Sequence, residues 1–286
     1  MLKRVAYHIL RFMPDHPFFN QAFAQARYFL RVGRFLRPGR PRTFNDFLLL
    51  RKLSPEAASP LRCRVTDKYE LKNFVEERLG PGFTPRTFAV LESPAAVARY
   101  EFPSLCVVKP THTSGQVLFV DQGQPDARQR RKIAGWLNIN YFVKGREPNY
   151  KHLRPRIIVE ESLKTGGEAP CDLKVFCFHG RPQFIQVDFD RFGGHERTLY
   201  EMDGVRLPVK VMFPVRAIGF PFPDLLGGIR EASAKLSAGF EFVRVDLYAV
   251  GGRLYVGELT FFPGNCLEEF DPPEFGEALG AMFEAG

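Results

Sequence analysis

FVRVDLYAVGGRLYVGELTFF, residues 242–262, is the stretch on which the reading of this chain turns. Val243, Val245, Leu247 and Ala249 alternate with Arg244, Asp246 and Tyr248, and after Gly251-Gly252 the chain returns through Leu254 to Leu259. That alternation predicts a hairpin with one core face and one charged face. A two-residue loop would pair Asp246 with Gly257 and turn Glu258 to the opposite face. A three-residue loop, 251–253, pairs Val250 with Leu254 and sets Asp246 across from Glu258. The second register is expected, because it gathers Arg244, Asp246, Glu258 and Thr260 while the valines stay in the core. Two carboxylates facing each other repel, and a hard divalent cation such as Mg²⁺ resolves the conflict with water and phosphate oxygens in its remaining positions. A sheet face on which Arg244 simply neutralises Asp246 is the competing reading, and this segment alone leaves both open.

Anion ligands are the next feature to seek. Lys109 ends an apolar strand at 105–109 and precedes Thr111-His112-Thr113-Ser114-Gly115, whose short side chains let backbone N–H groups and hydroxyls approach an anion closely. The loop lacks the GxxxxGK[ST] pattern. Lys68, near the start of a helix predicted over 66–80 with Asp67 and Glu70 at capping-box spacing, and Lys174, on a hairpin strand over 173–178, are further cations. The strand 156–160 runs into Glu160-Glu161-Ser162-Leu163, where backbone leaving a buried strand offers hydrogen bonds to an adenine edge. Glu168 beyond it is placed to accept from ribose hydroxyls. Each of these also reads as an ordinary exposed lysine or solvated strand end.

The rest of the chain bounds these readings. Its 286 residues are 45% hydrophobic and 25% charged, a globular profile, and no apolar run approaches the length of a spanning helix. No signal peptide is read at the start, and five cysteines without a CxxC pair fit a reducing cytoplasm. The six histidines show no zinc spacing. Residues 1–45 hold nine basic residues against Asp15 alone, so the whole formal excess of +8 belongs to an N-terminal arm. The arm interleaves aromatic residues with arginines in short amphipathic helices. It reads as a segment packed on the body, as a contact with an anionic membrane face or polymer, or, least of all, as a nucleic-acid binder.

Taken in order, Pro41–Asp46 (PRTFND), Thr66–Tyr69 (TDKY), Val107–Pro110 (VVKP), Ile157–Glu161 (IIVEE), Asp172–Lys174 (DLK), Phe242–Tyr248 (FVRVDLY) and Gly257–Phe261 (GELTF) resemble the ATP-grasp superfamily, in its branch similar to the teichuronopeptide biosynthesis protein TupA. The resemblance implies an α+β fold of two lobes with mainly antiparallel sheets gripping ATP: an arm at 1–45, a first lobe at 46–156 and a second lobe with hinge and metal site at 157–286. It implies Lys68 and Lys109 as first-lobe phosphate ligands, Thr113, Ser114 and Gly115 as the closing loop, and Glu160, Glu161 and Leu163 as the adenine hinge. Lys174 would be a second-lobe phosphate ligand, and Asp246 and Glu258 would hold Mg²⁺. Where many relatives carry Asn two residues after the metal glutamate this chain has Thr260, and Asn265 is the alternative third ligand. The implied chemistry is ATP-dependent ligation of a carboxylate to an amine through an acyl phosphate, on a cell-surface glycan or between an amino acid and a sugar acid. Arg244 is the candidate for the acyl oxyanion and Arg191 for an acidic acceptor. A kinase acting on a sugar or glycan hydroxyl, or a non-catalytic nucleotide- or glycan-binding protein, would use the same residues. A cytoplasmic chain, peripheral at the inner membrane face through its arm, is the implied setting.

Overall fold

A computed structural model of the chain describes residues 14–190 and 193–285. The first third of the basic arm and Arg191 lie outside the described residues. Helix α1 (Pro17–Val32) starts on a His16 cap and stops at Gly33, whose φ of 80° lets its N–H close on the Phe29 carbonyl. Its buried side chains, Phe23, Ala24 and Tyr28, turn onto the body. Helix α2 (Phe44–Lys52) opens with a capping box in which Thr43 and Asp46 exchange side-chain and backbone hydrogen bonds. The fully buried Asp46 also accepts from the Tyr28 hydroxyl and from Arg34 at 2.7 Å, tying α1 to the body. Thus this part of the arm is packed in place. None of the described helices is long and apolar enough to cross a membrane.

Helix α4 (Glu70–Leu79) is the helix predicted over 66–80, starting later than predicted, and a separate helix α3 (Pro60–Thr66) precedes it. Asp67 is extended between them, and its Oδ1 accepts from the N–H groups of Tyr69 and Glu70 while Oδ2 accepts from the Thr111 hydroxyl at 2.8 Å. The cap read from the sequence is real, but it begins α4 after a bend and fastens that bend to the phosphate-loop candidate.

The first sheet contains β1 (Thr87–Leu91), β2 (Cys106–Pro110), β3 (Leu118–Val120) and β4 (Ile157–Glu161) in the antiparallel order β1-β4-β2-β3. Helices α5 (Pro94–Arg99) and α6 (Ala127–Trp136) bury Val97, Ile133 and Trp136 in one core with Cys106, Val108, Ile157 and Val159. Strand β4 pairs with both β1 and β2, so this sheet includes Ile157–Glu161.

The second sheet is larger: β5 (Cys171–Phe178), β6 (Arg181–Phe189), β7 (Glu196–Glu201), β9 (Phe242–Val250) and β10 (Arg253–Thr260), in the antiparallel order β10-β9-β5-β6-β7. A separate pair joins β8 (Lys210–Val211) to β11 (Phe270–Asp271). Helix α7 (Leu226–Ser237) covers the face carrying Leu173, Val175 and Cys177, with Ile229 and Leu236 in the same core. On the other face Phe176, Phe178 and Phe242 pack beneath Phe44 of α2, and Phe283 follows α8 (Pro273–Ala281) into the same aromatic cluster. Residues of α2 and α4, among them Phe47, Leu48, Leu71 and Phe74, belong to this second core although they precede the first sheet in the chain. Beyond the aromatic cluster the same sheet face turns polar.

Candidate active site

The polar face follows from strand alternation. Asp172 and Lys174 of β5, Gln186 and Asp188 of β6, Arg244 and Asp246 of β9, and Glu258 and Thr260 of β10 stand on one side, because Lys174 pairs with both Gln186 and Asp246 and Glu258 pairs with Asp246. The predicted Asp246–Glu258 pairing is reached by a different route. The loop is the two-residue Gly251-Gly252, with φ of 55° and 73° at consecutive positions, as a type I′ turn requires. Arg253 therefore pairs with Val250, and the ladder would have delivered Gly257 to Asp246. A β-bulge between Val256 and Glu258 skips Gly257 and restores the opposition. Glycine fits there because a Cβ would lie 2.8 Å from the Tyr248 ring.

Arg244 grips Asp246 with two hydrogen bonds of 2.7 Å, so the neutralising pair weighed from the sequence is present. Its Nη2 also donates to the Thr260 hydroxyl at 3.3 Å, and that hydroxyl donates to Glu258 Oε1 at 3.4 Å. Lys68 reaches Glu258 Oε2 at 3.7 Å while donating to the Thr113 carbonyl at 2.7 Å, which links the turn before α4, the loop after β2 and the second sheet. Burial lowers the Lys68 pKa, and Glu258 opposes that effect. Burial pushes the Asp246 carboxyl up to about 7 against the pull of Arg244 and Lys174, and Glu258 across the ladder adds to the rise.

Two carboxylates and a hydroxyl form an all-oxygen donor set, and a divalent cation there would offset the burial that raises Asp246 and the added charge of Glu258; this chemistry suits Mg²⁺. Among the described residues no group of three or more His, Cys, Asp and Glu side chains is arranged for a metal. Asn265 is committed elsewhere. Its side-chain oxygen accepts from the buried Lys52, and its nitrogen donates to the Gly145 carbonyl at 3.2 Å and to Glu147 at 3.0 Å.

On the first sheet, buried Glu160 lies between Lys109 and Lys72, each at 2.6 Å. Burial alone would raise its pKa, and the two ammonium groups hold it below the ordinary value. Lys72, on α4, was not among the cations read from the sequence. Glu161 accepts from the Arg86 N–H at 2.9 Å, Leu163 is half-buried, and Glu168 is exposed in a turn closed by Thr165. In the loop after β2 Thr113 is buried, Ser114 half-buried and Gly115 exposed with φ of 92°. His112 is buried, and burial lowers its pKa.

Lys174 lies between Asp172 and Asp188, 3.0 Å from the latter, and Arg197 holds Asp188 from β7 at 2.6 Å. Arg191 lies outside the described residues. Among the neighbouring carboxylates in the chain, Asp188 is bound to Lys174 and Arg197, and Asp190 to Arg216. Arg197 and Glu268, which complete this end of the polar face, had no sequence signal.

With this geometry in hand, comparison with known proteins is informative. The family described as TupA-like ATPgrasp matches residues 48–284. No curated protein matches the chain. Among solved structures, the ATP-grasp ligase PsnB complexed with a phosphomimetic variant of its minimal precursor, Mg and ADP is 14% identical with a TM-score of 0.44, covering 83% of this chain and 66% of that one. The L-amino acid ligase from Bacillus licheniformis is 14% identical with a TM-score of 0.45, covering 92% and 56%. D-alanine–D-alanine ligase from Bacillus anthracis is 17% identical with a TM-score of 0.40, covering 77% and 63%. The chain thus spans less than two thirds of the length of these proteins.

Proposed function

The chain belongs to the TupA-like ATP-grasp family, and from that premise we propose that it is an ATP- and Mg²⁺-dependent ligase joining a carboxylate to an amine through an acyl phosphate. The proposed substrates are a cell-surface glycan, or an amino acid and a sugar acid. The observation that carries the reading is the opposition of Asp246 and Glu258 across the bulged hairpin, with Lys68 reaching Glu258 from another element at 3.7 Å. In this reading Asp246 and Glu258 hold Mg²⁺ with the Thr260 hydroxyl beside them, and Asn265 supports the turn. When bound, the ion supplies charge neutralisation at the phosphate oxygens. Lys68, Lys109 and Lys174 give the nucleotide phosphates cationic surroundings, and Thr113 to Gly115 cover them. The backbone from Glu160 to Leu163 takes the adenine edge, and Glu168 takes the ribose. Arg244 orients the reacting carboxyl and stabilises its oxyanion; Arg191 is assigned to an acidic acceptor.

The proposed lobes are 46–156 and 157–286. The arm is assigned to the inner membrane face or an anionic polymer, supported by exposed Phe18, Phe29 and Phe35 beside its arginines. The test is a screen for metal-dependent ADP release against amino acids, uronic acids and amino sugars. Turnover should need two acceptors, release inorganic phosphate and fall at least about 100-fold in Glu258→Gln. Phosphate retained on the product would make the chain a kinase. Nucleotide binding without ADP release from any acceptor would make it a binding protein, and undiminished turnover of Glu258→Gln would remove the metal-site assignment.

A further inference from the structure

Helix α1 presents apolar side chains to solvent as well as to the body. Phe23, Ala24 and Tyr28 are buried, whereas Phe18, Phe29 and Val32 are exposed along another side of the helix, with about three turns between Phe18 and Phe29. Phe35 lies just beyond the helix and stacks on Phe29, the ring centroids 4.7 Å apart and the planes 17° from parallel. The stack follows from the way the chain reverses. Gly33 stands at φ of 80°, and the Gln25 side chain holds both backbone groups of Leu36, accepting from its N–H at 2.9 Å and donating to its carbonyl at 3.3 Å. Leu36 is buried and Phe35 turns outward. The fold thus fixes phenylalanine rings in water: Phe18 is 67% exposed, Phe35 57% and Phe29 43%.

Charge completes the pattern. Residues 27–42 hold six arginines and no acidic residue. Arg31 is paired with Glu269 at 2.9 Å and Arg34 with Asp46 at 2.7 Å, but exposed Arg37, Arg40 and Arg42 form no ion pair among the described residues. The Arg40 N–H closes a turn on the Arg37 carbonyl at 3.0 Å, which keeps these two cations together. A second copy of the chain would bring the same arginines against one another, and like charges oppose that contact. A polysaccharide would meet the arginines but leave the rings wet, because Phe29 and Phe35 already turn one face to each other. An anionic bilayer satisfies both features, since its headgroups neutralise arginine and its acyl boundary surrounds the rings. We infer that Phe18, Phe29 and Phe35, with Arg37, Arg40 and Arg42 on the segment that follows α1, form a docking surface for an anionic lipid bilayer, while the buried side of α1 keeps the helix on the body. This rests on the assignment of the arm to an anionic surface and deepens it by naming lipid as the partner and the phenylalanines as the groups that insert; it does not depend on the ligase chemistry.

The full chain is sedimented with vesicles of phosphatidylcholine and with vesicles in which phosphatidylglycerol replaces part of it, at low and at raised salt. Binding should be at least about tenfold tighter to the anionic vesicles and should weaken in salt. The double substitution Phe29→Ser and Phe35→Ser keeps every charge and should lose about tenfold. The double substitution Arg37→Gln and Arg40→Gln should lose about 25-fold at low salt. If the phenylalanine variant does not melt cooperatively, Phe18→Ser, at the exposed start of α1, replaces it and should cost about threefold. Undiminished binding of the phenylalanine variant, equal binding to both kinds of vesicle, or no vesicle binding at all overturns the inference. In the last case polygalacturonate separates the two readings: retention of the chain on that polymer leaves the arm assigned to an anionic polymer, and failure on both removes the assignment of the arm as well. A dimer in sedimentation velocity that the phenylalanine variant dissociates would give this face to a second copy and overturn the inference too.

Discussion

Glu160 on the first sheet and Asp188 on the second are both buried carboxylates held between two cations, yet their surroundings differ. Lys72 and Lys109 close on Glu160, and the ion cluster ends there. Lys174 and Arg197 close on Asp188, but Lys174 continues to Asp172 and stands across the ladder from Asp246, while Gln186 and Glu268 add oxygens without partners. A closed triad of this kind fixes a strand end. An open-ended chain of charges with orphaned acceptors is the arrangement expected where a ligand completes the hydrogen bonding. The first sheet, α4 and the turn before it thus contribute lysines, and the second sheet contributes most of the carboxylates. A phosphate chain carrying a divalent cation is complementary to that division.

The largest expected effect tests the extended side. Lys174→Met removes a cation from two buried carboxylates and should cost about 3 kcal/mol, the low end for a broken buried pair because Arg197 stays on Asp188. Denaturant midpoints measure it, and a loss under about 1 kcal/mol would mean that the second cluster is no more committed than a surface pair. Glu160→Gln should cost less, about 2 kcal/mol, because its two lysines retain some access to water. Its pH dependence carries the sharper information. The folded pKa of Glu160 is depressed, so its contribution is fully present above the unfolded value near 4.5 and is lost as pH falls through the folded value. The stability difference between wild type and variant should therefore be constant above about pH 5.5 and shrink in more acidic solution; a difference that grows there contradicts the lysine clamp. The smallest effect concerns the bulge. Gly257→Ala places a methyl group against Tyr248 and should cost about 1–2 kcal/mol by overpacking. ADP release should fall with it, because Glu258 is displaced, and unchanged turnover would separate the bulge from the site.

Much of this was legible in residue order. The alternation around Asp246 showed which side chains share a face, and the cap at Asp67 is a local feature. The loop was misjudged because a bulge leaves no periodic trace: Gly257 looks like any strand glycine until its partner strand is known. Lys72 was within reach, since the helix predicted over 66–80 contained both Lys68 and Lys72 at a spacing that shares a face, although Lys68 itself lies in the turn before α4. Asn265 appeared free because Lys52, which engages it, lies 213 positions away. Glu268 could not be found at all, since its environment is assembled from three strands and a turn. Local chemistry is written in spacing, whereas long-range charge neutralisation is written only in the tertiary structure.

The skipped glycine also changes the phase of the hairpin. Upstream of residue 257 the odd positions of the return strand point one way, and downstream the even ones do. Lining this hairpin up against a partner with no extra residue will therefore exchange inward and outward positions on one side of the step, unless a gap is opened at 257. Without that gap, Gly257 would be lined up with the acid.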